Sequence, residues 1–232
     1  MSYYPINLDI TGKICLVVGG GKVAYRKVRS LLGGNGQVIV ISPEAVPEIR
    51  LLAKRNELTY YERVYRPGDL KGAVLVFAAT NCPDTQELVR AEASKLGVLL
   101  NSADSPDNCD FQVPAKVRRG ELLITISTGG GSPAISRMVR MELEEQFGPE
   151  YGILIFLFSL IREQIVPGPT SSDENRNMFR ELLLSNILID VQNRRWQRVQ
   201  AKLDRLLPES VDSEAVVQKT IEFAEDEFDL MT

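Results

Sequence analysis

The sequence predicts an α/β protein with an N-terminal parallel sheet, a short mixed central region and an all-helical C-terminal region. Three observations predict this order. Strand-like apolar runs alternate with helical segments over roughly the first hundred residues, a glycine triplet separates the first run from the first helix, and the pattern is helical from residue 151 onward.

Five short apolar runs near the N-terminus have the β-branched composition of strands that are covered on both faces. They are 14–18, 38–41, 58–61, 73–78 and 98–100. Helices are predicted between them over 22–32, 47–56 and 83–96. Glycines follow the first and last of these helices, as is common at helix ends. Such alternation with short connections predicts a parallel sheet with right-handed crossovers.

The pattern changes after Asn101. Short antiparallel segments are predicted at 110–113, 116–118 and 122–126. Ser132 suits the N-cap and Pro133 the first turn of a helix that runs to about 147. The remainder is predicted helical, with an interruption at 167–172. We therefore expect three parts, spanning 1–113, 114–150 and 151–232.

The composition is that of an ordinary globular protein, with 44% hydrophobic and 25% charged residues. The net charge of −4 argues against a dedicated nucleic-acid binder. Three cysteines without a CxxC pair disfavour a disulfide framework or a zinc site, and Cys15 is expected in a core. The chain contains no histidine, so acid–base chemistry must come from Asp, Glu, Lys, Tyr or Cys.

No secretory signal is visible, which favours a cytoplasmic protein. The longest apolar run, 151–161, is shorter than the roughly 20 residues that span a bilayer, so no membrane partner is expected. We interpret this run as a buried or interface helix.

The glycine triplet fits a dinucleotide-binding turn. Gly19, Gly20 and Gly21 with Lys22, Val23 and Ala24 match G-x-G-x-x-A between a predicted strand and a predicted helix. The first glycine permits the turn, the second lets the backbone approach a pyrophosphate, and the small alanine lets the helix pack close to the sheet. The phosphates would lie at the helix N-terminus, whose free N–H groups attract anions. This context favours a Rossmann-type domain over a purely structural turn.

Further cofactor contacts are expected at the carboxyl ends of the other strands, where ligands of open α/β sheets bind. These candidates are Ser42, Pro43, Ala79, Thr80 and Asn101. A Rossmann domain usually carries Asp or Glu at the place that Ser42 occupies, where it binds the ribose 2′-hydroxyl. A neutral serine does not repel a 2′-phosphate, so these residues leave NAD and NADP both open.

Asp104 is a candidate catalytic residue. It lies in the stretch NSADSP, just beyond the fifth predicted strand, where a carboxylate could relay a proton beside a bound nicotinamide. The alternative is a turn-forming aspartate before Ser-Pro, which is common. Both interpretations remain open from the residues alone.

The loop before the helix at 133 is a candidate anion site for substrate. Its candidate contacts are Thr128, Gly129, Gly130, Ser132, Arg137 and Arg140. The alternative is a capped helix with solvated arginines. The pairs Arg118-Arg119 and Arg194-Arg195 are interpreted as solvated faces.

Three stretches together resemble the siroheme-synthase dehydrogenase family. They are VVGGGKVAYRKVRSLL (17–32), NSADSP (101–106) and RGELLITISTGGGSPAISRMVRMELE (119–144). The resemblance covers residues 1–150 in detail. It implies NAD as cofactor and a tetrapyrrole with eight carboxylates as substrate, which is oxidised from precorrin-2 to sirohydrochlorin in siroheme biosynthesis.

The same resemblance implies that Asp104 is the catalytic carboxylate and that the chain forms a homodimer through 114–150. Some family members also insert ferrous iron into sirohydrochlorin, and the same aspartate would serve there. Two other functions stay open: a nucleotide-sensing regulatory module, which would not need Asp104, and a chelatase with a vestigial cofactor site. No resident metal ion is expected.

Overall fold

The computed structural model describes residues 3–102, 109–165 and 171–229, and it confirms the α/β fold. The chain divides into two compact units, Tyr3–Val113 and the residues from Pro114 onward. Each unit is built on a different principle, the first on a parallel sheet and the second on helices.

Within the described residues, the first unit contains five parallel strands in the order β3-β2-β1-β4-β5. They are β1 (Ile14–Val18), β2 (Gln37–Ile41), β3 (Thr59–Tyr61), β4 (Leu75–Ala78) and β5 (Leu99–Ser102). The order reverses between β1 and β4, so the switch point of the doubly wound sheet follows β1.

Helices cover both faces of this sheet. They are α1 (Lys22–Leu32), α2 (Pro47–Lys54) and α3 (Pro83–Leu96). Alternate residues of β1 enter two cores: Cys15 and Val17 pack with α1 and α2, whereas Leu16 and Val18 pack with α3. This two-sided burial explains the continuous apolar runs and confirms that Cys15 is a core residue.

The strand predicted at 110–113 is wrong. Its backbone bonds to β5 at one point, where Asp110 N donates to Leu100 O at 2.9 Å. Side chains make the other contacts: the Asp110 carboxylate accepts from Leu100 N at 2.8 Å, and the Asn101 amide donates to Phe111 O at 2.9 Å. Side-chain hydrogen bonds therefore take the place of a strand ladder.

The second unit begins with an antiparallel hairpin of β6 (Ala115–Arg119) and β7 (Leu122–Ile126). Six helices follow among its described residues. They are α4 (Pro133–Gln146), α5 (Pro149–Ile165), α6 (Ser172–Leu184), α7 (Ile187–Gln192), α8 (Trp196–Leu206) and α9 (Ser213–Asp229). Described residues include no helix that is long and apolar enough to cross a membrane.

Helix α5 is the centre of this unit. Ile153, Leu157 and Ile161 are fully buried against the other helices, so the apolar run at 151–161 is a buried helix of its own chain. Gly152 lies against the hairpin turn, and a Cβ there would come within 2.8 Å of the Arg119 carbonyl.

Arg119 does not belong to a solvated face as expected. Its Nε donates to Phe147 O at 2.8 Å and its Nη2 donates to Glu144 O at 3.1 Å. The guanidinium thus satisfies carbonyls at the end of α4 that have no partner in the helix. Such a long-range contact is not visible in a local pattern of charges.

Candidate functional site

The carboxyl ends of four strands meet at one edge of the sheet. The parallel register pairs Val18 with both Ile41 and Ala78, and Ala78 with Ser102. The residues that follow these strand ends therefore emerge side by side. This brings together the predicted glycine turn, Ser42, Pro43, Ala79 and Thr80, and it places Asn101 one residue inside β5.

Two glycines of the turn are required by the protein itself. Gly19 has a φ of +127°, and a Cβ there would lie 2.1 Å from Ala79 O. A Cβ on Gly20 would lie 1.9 Å from Glu44 O. The turn is therefore packed between the loops that follow β4 and β2, with no room for a side chain at either position.

Gly21 is different because it faces open space. No described atom lies within 4 Å of the Cβ that this residue lacks. It is the N-cap of α1 and provides no side-chain cap, while Lys22 and Val23 after it are exposed. The first N–H groups of α1 have no partner within the helix, and the position before them is open, which fits the pyrophosphate of a dinucleotide.

Ser42 is less available than expected. The residue is only 8% exposed, its N–H donates to Tyr61 O, and its carbonyl accepts from the Tyr60 hydroxyl at 3.0 Å. Pro43, next to it, is exposed.

Glu44 is a residue that sequence reasoning missed. It is exposed, and its backbone carbonyl lies against Gly20, so the main chain at Glu44 borders the glycine turn. An acidic residue is expected after β2 in a Rossmann domain, and Glu44 lies two positions beyond Ser42. Only Ser42 was predicted for that place.

The loop after β4 is held by its own hydrogen bonds. Thr80 O accepts from the Gln86 side chain at 2.6 Å, and Thr80 Oγ1 accepts from Cys82 N at 3.3 Å. Ala79 N donates to Val18 O at 2.8 Å, which ties this loop to the glycine turn. The Asn101 amide is occupied by Phe111 O, so its side chain serves the fold.

Lys27, which was not among the predicted site residues, is half-buried. Its ammonium lies 4.7 Å from the centre of the Phe77 ring, and burial lowers the pKa of this lysine. Lys27 belongs to the VAYRK stretch and lies on the face of α1 that is turned toward the sheet.

Asp104 lies outside the described residues. The residues on either side of its stretch are described and are in contact: Ser102 N donates to the Cys109 thiol at 3.2 Å. Ser102 and Cys109 therefore both lie at the carboxyl end of β5.

The loop before α4 is internally bonded. The Thr128 hydroxyl donates to Ser132 O and accepts from Ser132 N, each at 3.2 Å. Ser132 Oγ accepts from Ile135 N, which confirms it as the N-cap. Gly129 and Gly130 have φ values of +61° and +84°, a conformation that favours glycine.

The two predicted arginines of α4 differ in their surroundings. Arg140 forms an ion pair with Glu144 one turn further along the helix. Arg137 is exposed and makes no ion pair with any residue that the structure describes. Of the two, Arg137 has the guanidinium available to an anionic ligand.

Comparison with known proteins extends these observations. A protein family described as "Putative NAD(P)-binding" matches residues 6–115. The siroheme synthase of Vesicomyosocius okutanii subsp. Calyptogena okutanii (strain HA) is 36% identical over 92% of this chain and 46% of its own length. That of Nitrosomonas europaea is 35% identical over 91% of this chain and 45% of its own length. The chain thus spans slightly less than half the length of these curated relatives.

A solved structure titled "SirC, precorrin-2 dehydrogenase" superposes with a TM-score of 0.67 at 26% identity. The match covers 78% of this chain and 89% of the other. The similarity therefore extends beyond the dinucleotide-binding unit into the helical unit. With its open glycine turn, the chain is similar to siroheme synthases over both of its units.

Proposed function

We propose that this chain oxidises precorrin-2 to sirohydrochlorin with NAD as the hydride acceptor, as a step of siroheme biosynthesis. The observation that carries the proposal is the open space at Gly21, in a chain whose similarity to siroheme synthases continues through both units. A nucleotide sensor would need the first unit alone, so the similarity of the second unit favours an enzyme.

The cofactor residues are assigned from the shared edge of the sheet. The N–H groups of Lys22 and Val23, beside Gly21, would hold the pyrophosphate, with Gly19 and Gly20 shaping the turn. Ser42 and Pro43 would border the ribose near α1, while Ala79, Thr80 and Asn101 would border the nicotinamide side. When bound, NAD supplies the ring that accepts the hydride.

Asp104 is proposed to take the proton that leaves the tetrapyrrole ring. In a chain without histidine, a carboxylate is a suitable general base. The contact between Ser102 and Cys109 supports this role, because these described neighbours of the stretch that contains Asp104 lie at the sheet edge where the cofactor residues gather.

Substrate carboxylates are proposed to bind at the loop before α4. Arg137 is exposed for this purpose, and a guanidinium can bind a carboxylate through two parallel hydrogen bonds. Arg140 would exchange Glu144 for substrate at little cost, since exposed pairs contribute about 0–1 kcal/mol. Thr128, Gly129, Gly130 and Ser132 would shape the loop.

The test is a sirohydrochlorin absorbance assay with purified protein, precorrin-2 and NAD. Asp104→Ala should lower the oxidation rate by about 10²–10⁴-fold while leaving NAD affinity unchanged. Glu57→Gln, an exposed carboxylate after α2, is the matched control and should keep the full rate. A chain that forms no sirohydrochlorin with either NAD or NADP would overturn the proposal.

Iron insertion can be tested separately from precorrin-2 oxidation with Gly21→Asp and Asp104→Ala. Sirohydrochlorin and ferrous iron are supplied without any dinucleotide, and siroheme formation is followed. If the chain also inserts iron, Gly21→Asp should retain that activity because no NAD is used. Asp104→Ala should lose it, because a carboxylate must accept the pyrrole protons.

We also propose a homodimer through 114–150. No described residue of α4 is buried, and Ile135, Met138 and Met141 form an apolar stripe in which each side chain is about half exposed. Light scattering should give the mass of two chains for the native protein and the mass of one chain for Met138→Glu. Leu184 on α6 is also apolar and exposed, so Leu184→Glu is the control and should remain dimeric. A monomeric native protein at micromolar concentration would contradict the proposal.

The proposed compartment is the cytoplasm. The three cysteines, all of them among the described residues, form no disulfide. Thiols of this kind persist in a reducing compartment.

A further inference from the structure

We infer that the cleft between α7 and α8 binds a small polycarboxylate with an apolar body. The cleft has a volume of about 480 Å³, which is within the range of small-molecule sites. It lies in the helical unit and contains none of the residues assigned above to cofactor or substrate.

One face of α8 and the residue before it line the cleft with cations. Arg195, Arg198, Lys202 and Arg205 are spaced by three or four residues, so they lie on the same side of the helix. The chain as a whole carries a net charge of −4. A basic row on an acidic protein raises the local concentration of anions at this face.

A buried carboxylate organises the floor of the cleft. Asp190 on α7 is only 5% exposed, forms an ion pair with Lys202 and lies 3.8 Å from Arg195 Nη1. Lys202 is therefore neutralised and held in place. Such a fixed pair gives the site a preformed shape.

Arg198 and Arg205 are the cations that remain for a ligand. Both are exposed, and neither is paired with a carboxylate in the described part of the chain. They are seven residues apart on α8, which corresponds to about 10 Å along the helix axis. A molecule with carboxylates at opposite ends can bind both guanidinium groups at this spacing.

Two apolar side chains also line the cleft beside these arginines. Ile189 is 48% exposed and Ala201 is also exposed, and both line the cleft. An apolar ring could pack here while carboxylates on its two sides meet the guanidinium groups in bidentate pairs. Tetrapyrroles with many carboxylates have this chemistry, and the choice of this ligand class rests on the function proposed above.

The experiment uses uroporphyrin, a stable tetrapyrrole with eight carboxylates, titrated into the full chain by fluorescence and equilibrium dialysis. The native chain should bind two equivalents, one of them in the α7–α8 cleft. The double variant Arg198→Glu and Arg205→Glu should bind the second equivalent at least tenfold more weakly. Precorrin-2 oxidation and helical content should not change in this variant.

A matched control makes the same change of charge elsewhere in the helical unit. Arg180→Glu with Lys219→Glu alters two exposed cations that do not line the cleft, so this variant should bind uroporphyrin as the native chain does. Equal binding by the cleft variant and the native chain would overturn the inference. So would equal losses in both variants, or displacement of uroporphyrin from the cleft by millimolar inorganic phosphate. If the native chain binds uroporphyrin in the cleft but does not oxidise precorrin-2, the proposed function is overturned and the inferred binding site is supported.

Discussion

At the scale of single residues, the three glycines of the first turn are chemically identical but have different reasons to be glycine. Gly19 and Gly20 are confined by carbonyl oxygens of neighbouring loops. Gly21 is confined by no described protein atom. Substitution at the first two positions should therefore affect folding, and substitution at the third should affect binding.

This difference predicts opposite outcomes for two alanine variants. Gly21→Ala should keep the native unfolding midpoint but bind NAD more weakly, because its methyl group enters the space proposed for the phosphates. Gly19→Ala should destabilise the chain by more than about 1 kcal/mol, since alanine is strained at positive φ and meets Ala79 O.

Thermal melts with NAD titrations measure both effects. Gly21→Asp extends the series and should abolish NAD binding by adding a negative charge. Unchanged NAD affinity in both Gly21 variants would contradict the assignment of this space.

The half-buried ion pair of Arg63 with Asp69 predicts that the stability of the fold depends on pH. Arg63 binds Asp69 through two hydrogen bonds of 2.8 Å and holds the pKa of that carboxyl below its usual range. Because the pKa is lowered in the folded state, the stabilisation is present above about pH 4 and is lost as pH falls through the folded pKa.

Asp69→Asn should therefore lower the free energy of unfolding by about 1 kcal/mol at pH 7. The difference from the native chain should shrink toward pH 3 in urea unfolding. Glu87→Gln, which removes the exposed pair with Arg90, is the control and should change little at either pH. A deficit of Asp69→Asn that is the same at pH 7 and pH 3 would show that the pair is not its cause.

At the scale of elements, the sequence predicted what local patterns encode. The parallel strands and α1 to α3 were predicted because burial on both faces produces continuous apolar runs and because glycine and proline mark the helix ends. The segment 110–113 was wrongly predicted as a strand because its contacts come from the Asp110 and Asn101 side chains. Arg119 was misjudged for a related reason, since its two partners on α4 and at the end of α4 lie at least 25 residues away.

The candidate site divides in the same way. The glycine turn and the strand ends were predictable because a parallel register brings carboxyl ends to one edge. The contact of the Glu44 carbonyl with Gly20 was missed because it depends on the path of the loop after β2. The Asp104 prediction falls outside the described residues and stays a prediction.

The crossing of α5 with the β6–β7 hairpin gives a prediction at this scale. An alanine within a helix normally stabilises it relative to glycine by about 0.5–1 kcal/mol. Gly152→Ala should instead destabilise the chain by about 1–3 kcal/mol, because its Cβ would overlap the Arg119 carbonyl. Urea unfolding would measure this, with Ser159→Ala on the exposed side of α5 as a control expected within about 0.5 kcal/mol. A gain of stability in Gly152→Ala would mean that the β6–β7 hairpin can move away from the added methyl group without cost.

At the scale of the whole molecule, each unit has its own hydrophobic core. The chain's single tryptophan, Trp196, packs against the helical core and so reports on the second unit alone. NAD at 100 times its Kd should stabilise the unit that binds it by about 2.7 kcal/mol.

Calorimetry should therefore show a transition that moves up in temperature with NAD, while the unfolding midpoint from Trp196 fluorescence stays constant. Gly21→Asp provides the control, because neither signal should respond to NAD in that variant. A tryptophan midpoint that follows the NAD concentration would mean that the two units unfold as one.

The unequal confinement of the three glycines also bears on how relatives of this chain can diverge. Positions 19 and 20 are constrained by the fold, so they can change only if the loops after β2 and β4 change with them. Position 21 is constrained only from outside the protein. In a lineage that abandoned the dinucleotide, selection would relax at this one position first. We expect a descendant with a silent cofactor site to keep its first two glycines and to have replaced the third.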